Sequence, residues 1–456
     1  MTFPALTVGL AIFVALCYTC YCKTGNAVYL QMFRFWRKIL AYGFALGIVA
    51  GIVLTFELGL NWGSYARATG PILGPLICTE ALTAFFLEAG FIGILIYGEG
   101  RVSRKVVAIA SWMVALGALL STAWILSANS WMQTPVAYKE VNGQFQPTNW
   151  FDVIFNPAFN WRFPHMVLAV LVSSSWFIAA IGAFYLLRKR YLPFAKKTFS
   201  IALAAAAIFL PIQMFVGDGM ASNMTLVYQP AKVIAAEGNF NSTNTGWNLI
   251  AIPDQAQQRN YFQLTLPDAA GPFVYHNFTK AEAVPGMKAI PRSEQPPVWP
   301  TFWGFKIMVY GAWAMMSVAF IAVVMRIRRR LYTERWFLRL VMWMLPVGVI
   351  STIAGWVLSE SGRQPWLVYG KLLVTNSPSS LSTGELIATL VGFWVLYLGM
   401  ITAWIRQVIR DVRKGPDPLP GEQDTDSPAP GASGGGPARA DDDVLEHIGS
   451  LSPAEA

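Results

Sequence analysis

Charge is what this 456-residue chain has least of: Asp, Glu, Lys and Arg together make 13% of it, where a soluble domain carries about 25%. That shortage excludes a soluble enzyme and a disordered chain, since both need charge to stay in water. Cysteine is sparse as well. The four copies, Cys17, Cys20, Cys22 and Cys78, exclude a disulfide-stapled secreted domain. Cys17 and Cys20 have redox or metal spacing, but their apolar surroundings offer nothing to favour thiolates, so they read as small hydrophobes. Histidine is rarest, with only His165, His276 and His447. What is present in quantity is apolar: 55% hydrophobic residues, 18 Trp and 38 Gly, a composition suited to a bilayer.

Apolar runs of about 18 or more residues mark spanning helices. Nine are legible, at 4–22, 37–57, 73–97, 106–128, 165–187, 199–217, 302–325, 337–358 and 385–407. The expected fold is an all-α bundle of nine transmembrane helices. The first run has no basic region before it and does not resemble a signal peptide. The net charge of +9 is topology and implies no nucleic acid. Most Lys and Arg sit in short connections after helices 1, 3, 5, 7 and 9, as in Arg326, Arg328, Arg329, Arg330, Arg335 and Arg339. By the positive-inside rule those connections are cytoplasmic, so the N-terminus is outside and the C-terminus inside. The expected organisation is helices 1–6 over 1–217, an outer loop over 218–300 able to hold a binding site, helices 7–9 over 301–414, and a disordered cytoplasmic tail over 415–456. No internal repeat is evident, which counts against transporters built from repeated halves.

Ionisable residues inside a bilayer are expensive and mark function by default. Helix 3 carries Glu80 and Glu88 in TEALTAFFLEAGF. Eight residues apart, they stand about 80° apart around an ideal helix and about 12 Å along it. One reading is a carboxyl pair bonded within the bundle; the other is a cofactor ligand with a proton-relay carboxylate below it. Glu360 ends helix 8. His276 and His447 read as solvated. His165 opens helix 5 and Met308 opens helix 7, each unremarkable alone. The deduced topology nevertheless puts His165, Met308, Glu80 and Glu360 near one membrane surface, and His with Met is a known axial pair for haem iron.

These residues stand in runs that resemble subunit I of the cytochrome bd-type quinol oxidases over nearly all of residues 1–414. The runs are FWRKILAYGFALGIVAG, TEALTAFFLEAGF, WILSANSWMQTP, the His165 helix start, GDG at 217–219, QPAKVIAAE, FKIMV and GWVLSESGRQPW. The resemblance implies a terminal respiratory oxidase of the bacterial inner membrane. It would oxidise quinol at the outer face, reduce oxygen to water and build a proton gradient without pumping. The resemblance further makes His165 and Met308 the axial ligands of a low-spin haem b, with Lys306 beside it. Glu360 matches the ligand of a high-spin haem b, and Glu80 the acid at the oxygen-reducing haem, which is haem d or a further haem b. Lys232 and Glu237 match residues of quinol oxidation, Glu88 a proton-supply carboxylate, and Arg363 a charge partner for haem propionates. A second membrane subunit is the implied partner, with a small accessory subunit as a further candidate.

Two departures stand out. The family's His at the outer end of helix 1, a ligand of one high-spin haem, falls just before Met1 in the match, and we take the start to be assigned too late. The outer loop lacks a long insertion, which places the chain in the short-loop class, some of whose members resist cyanide. Without that His, the alternative is a non-catalytic haem-binding relay or assembly subunit. A proton-coupled transporter using Glu80 and Glu88 is opposed by His165, Met308 and the GRQPW run.

Overall fold

The computed structural model describes residues 4–243, 245–278, 284–377, 379 and 381–418. The expected tail, with His447, lies outside the described residues from 419 onward.

Water is absent from a bilayer core, so backbone N–H and C=O groups there must bond within their own segment, which only a helix provides for a single strand. Among the described residues nine helices are long and apolar enough to cross. They are span 1 (Pro4–Thr24), span 2 (Ala27–Asn61), span 3 (Gly63–Tyr97), span 4 (Arg104–Gln133), span 5 (Pro157–Leu187), span 6 (Leu192–Tyr228), span 7 (Val298–Ile327), span 8 (Arg335–Ser361) and span 9 (Thr383–Lys414). Each contains or overlaps the apolar run read from sequence, and most extend beyond it, because polar caps prolong the helices past the greasy stretch. Asn26 accepts from the Val28 N–H, Asn156 from the Phe159 N–H, and Ser382 with Glu385 forms a reciprocal capping box on span 9.

The expected loop at 218–300 begins later than the sequence indicates. Residues 218–228 are still helical, with a wide π turn at Ala221–Thr225. Asp218, Ser222 and Asn223 end the apolar run but not the helix, because the Ser222 hydroxyl and Asn223 amide donate back to the carbonyls of Asp218 and Gly219. Span 7 likewise starts at Val298.

Span 5 lies at the centre, with 72% of its most apolar stretch buried, against 6% for span 9. The outward faces of spans 2, 3 and 9 are therefore left to lipid or to another chain. Two ends of the bundle differ. One has only short connections, where Arg34 and Arg37 both pair with Glu99. At the other, broad end, strands β1 (Tyr138–Val141) and β2 (Gln144–Pro147) form a hairpin between spans 4 and 5. The connection between spans 6 and 7 holds the short helix Pro230–Ala236 and a hairpin of β3 (Trp247–Asp254) and β4 (Arg259–Leu266). It has its own small core of Ile234, Phe240, Ala270, Met287 and Val298, so it is a folded cap and not a loose loop.

Candidate functional site

An apolar cavity of about 590 Å³ opens between spans 5, 6, 7 and 8 under this cap, within the usual range for a small-molecule site. His165 of span 5 and Met308 of span 7 line it, with Lys232, Glu237, Arg162, Trp247 and Phe273. The backbone has been cleared around both candidate ligands. A Cβ at Gly217 would lie 2.8 Å from His165 Cε1, and one at Gly355 would lie 2.7 Å from Met308 Sδ. Only glycine lets spans 6 and 8 approach so closely. His165 Nδ1 is buried with no hydrogen-bond partner, and its Nε2 has a long 3.4 Å contact with the Gln213 amide. A buried imidazole left so poorly satisfied is a donor set awaiting a ligand. No three His, Cys, Asp or Glu converge as a metal cluster among the described residues. Iron here would need its remaining ligands from a macrocycle, and the apolar walls and imidazole–thioether pair fit haem.

The cap residues matched to quinol oxidation are buried. Lys306, fully buried, holds Glu237 through a 3.0 Å ion pair. Lys232 Nζ donates to Gln133 Oε1 at 2.7 Å, and the Gln229 amide donates to the Gln133 carbonyl at 2.8 Å. The end of span 4 thus clamps the short cap helix. Burial pushes the Lys232 ammonium well below the ordinary lysine range, and the Arg162 and Arg363 charges push the same way against the opposing pull of Glu360.

Beside the cavity lies a charged shelf. Glu360 pairs with Arg363 at 2.6 Å and with Arg162 at 3.8 Å, and accepts from the Asn129 amide at 3.2 Å. Arg162 also donates to Ser130 and Ser359. Arg363 Nε and Nη1 are buried without partners, so this guanidinium has free donors for an anionic group. Arg162 touches both cavity and shelf, and sequence reading missed it. The signal was there, since Arg162 precedes His165 by three residues and shares its face.

Two sequence expectations need correction. Glu80 does not share the shelf near the broad end. Span 3 starts at Gly63, which puts Glu80 about 26 Å along it at 1.5 Å per residue. Nor do Glu80 and Glu88 diverge by 80°. A π turn at Ala81–Phe85 separates them; its extra residue makes the offset that of seven α-helical residues, about 20° short of two full turns. Both carboxylates therefore meet one stripe of span 4. Ser121 donates to Glu80 at 2.7 Å, and Gly117, four residues away, sits against Glu88 Cγ. Asn129, eight residues beyond Ser121 on span 4 and turned about 80° from it, reaches Glu360. His276, expected to be solvated, is half-exposed but pairs with Asp218 at 2.9 Å. A second, more open cleft of about 610 Å³ at Asn149, Asp152, Asn160 and Trp161 contains none of the predicted site residues.

Comparison with known proteins identifies the family. The family model for cytochrome bd terminal oxidase subunit I matches residues 1–416. The chain is 32% identical to cytochrome bd ubiquinol oxidase subunit 1 of Bacillus subtilis (strain 168), over 91% of this chain and 90% of that protein. It is 31% identical to cytochrome bd-II ubiquinol oxidase subunit 1 of Escherichia coli (strain K12), over 93% and 95%. The bd oxidase from Geobacillus thermodenitrificans shares the fold with a TM-score of 0.82 at 26% identity, covering 91% of this chain and 96% of that one. The chain belongs to the cytochrome bd terminal oxidase subunit I family.

Proposed function

We propose that this chain is the haem-bearing subunit of a quinol:oxygen oxidoreductase, working with a second membrane subunit in the bacterial inner membrane. The observation that carries this is the cavity in which His165 and Met308 meet the same apolar space as Lys232 and Glu237. In this reading the broad end faces outward and the basic, short-connection end faces the cytoplasm.

His165 and Met308 would hold a low-spin haem b, with Lys306 and its Glu237 partner beside it. Glu360 would serve a high-spin haem once it exchanges part of its ion-pair shell for iron, and Arg363 offers its free Nε and Nη1 to propionates. Glu80, on span 3 and bonded to Ser121 of span 4, would serve the oxygen site, whether that holds haem d or a further haem b. Bound haem supplies one-electron storage and oxygen chemistry; the protein supplies ligation, low dielectric and proton access.

The remaining work belongs to the side chains. Quinol oxidation must shed two protons. Lys232 Nζ, biased toward the neutral amine by burial, and Glu237 Oε2 stand on the cavity wall to accept hydrogen bonds and protons from a quinol hydroxyl. Protons for oxygen reduction must come from the other side. The contacts along span 4 support this route: Gly117 sits against Glu88, Ser121 bonds Glu80 and Asn129 bonds Glu360, so the three carboxylates meet one helix over about 18 Å of its length. Uptake and release on opposite faces separate charge without a pump. The short cap fits the short-loop class.

The test is a reduced-minus-oxidised spectrum of membranes from a host lacking its own bd oxidase, with the second subunit co-expressed. Low-spin and high-spin haem bands are expected, and H165A or M308L should remove the low-spin bands first. No haem in the wild-type complex would overturn the reading, and the high-spin bands tell haem d from haem b.

A further inference from the structure

We propose that Phe273, backed by Trp247, is the face on which the quinol ring stacks, and that this pair sets the site's preference for ring size. The inference rests on the reading of the cavity as the quinol site and names the surface that receives the ring.

Three observations meet here. The rings of Trp247 and Phe273 are stacked, with centroids 4.6 Å apart and planes 18° apart, and both line the cavity. Trp247 is buried, while Phe273 is half-exposed. One face of the Phe273 ring is thus covered by indole and the rest remains open, the arrangement of a stack with one member missing. Aromatic rings favour offset stacking over an isolated apolar contact.

The platform is held rigidly from behind. Lys306 Nζ stands 4.2 Å from the Trp247 ring centroid while pairing with Glu237, so one cation ties the indole to the residue matched to quinol oxidation. Asn248, next to Trp247, donates to the Glu237 carbonyl at 2.9 Å and accepts from Thr265 at 2.7 Å. The turn carrying Phe273 is fastened to the strand start by the Ala270 N–H donating to the Thr245 carbonyl at 2.9 Å. The cavity rim continues the theme: Phe215 and Trp313 line it and are themselves exposed, giving an aromatic doorway toward the bilayer. A planar ring with two hydroxyls finds its flat partner at Phe273 and its polar partners at Lys232 and Glu237. A two-ring naphthoquinol covers more of such a platform than a one-ring benzoquinol.

The test uses the full-length chain with its second subunit in membranes, measuring oxygen uptake against duroquinol, with one ring, and menadiol, with two. F273L keeps apolar volume but removes the flat face; F273Y restores it. F262A removes an exposed aromatic of the same hairpin that does not line the cavity. F273L should raise the KM for menadiol about tenfold, equivalent to about 1.4 kcal/mol, and that for duroquinol by less. The kcat and the haem difference spectrum should hold, F273Y should return to wild type, and F262A should not differ from it. A wild type active with both quinols whose F273L variant keeps both KM values within twofold overturns the platform alone. An equal rise for the two quinols overturns the ring-size preference. A haem-loaded wild type that takes up no oxygen with either quinol overturns the quinol-site reading and the platform with it.

Discussion

The glycine that faces His165 allows a sharp test of where the haem ligand sits. A methyl group at position 217 would lie 2.8 Å from His165 Cε1 and 3.2 Å from Nδ1, where ordinary contact begins at 3.4 Å. In G217A the imidazole must therefore retreat by about 0.6 Å, or span 6 must move. Overpacking of this kind typically costs 1–3 kcal/mol, and if the strain falls on the ligand, haem affinity drops roughly 5- to 150-fold. The matched control is G219A two residues on, whose methyl would lie 2.5 Å from the Trp161 ring, an equal or worse clash that touches no candidate ligand. Haem per chain is measured in purified complex, together with the difference spectrum. G217A should lose or shift the low-spin bands, while G219A lowers thermal stability and leaves those bands in place. Full low-spin haem at an unaltered wavelength in G217A, or equal loss in both variants, would refute the assignment of His165.

Further expectations concern the cap and the proton path. Removing one partner of a buried ion pair costs about 3–5 kcal/mol, so E237A or K306A alone should lower the melting temperature in detergent sharply, and the double variant should lose much less than the sum. Lys232 has a folded-state pKa below its unfolded value, so the unfolded chain binds the extra proton. Stability should then rise with pH across the window from that depressed value up to the ordinary lysine pKa of about 10.4. Melting curves across alkaline pH should show this slope in wild type and a flatter one in K232M; identical slopes would argue against a lowered pKa at Lys232. E88Q should slow quinol-driven oxygen uptake while keeping haem content. Unchanged turnover with haem intact would remove Glu88 from the proton path.

Much of this molecule was legible in its residues. Composition alone demanded a bilayer, and apolar runs gave the nine spans found among the described residues, because a chain in lipid has no alternative to the helix. The runs TEALTAFFLEAGF and GWVLSESGRQPW were among those that carried the resemblance to the family, while the cost of their ionisable residues in a membrane marked them only as functional. Tertiary structure decided the rest. Span ends depended on polar caps and side-chain returns such as those of Ser222 and Asn223, which hydropathy does not read. The shared face of Glu80 and Glu88 depended on one extra residue in a π turn, a feature set by packing against span 4. Arg162, Gln133 and Trp247 acquired their roles from neighbours far away in sequence, namely Ser359, Lys232 and Lys306. Local pattern fixes which segments are helices and which side chains are costly to bury; only the assembled bundle decides which of those side chains meet.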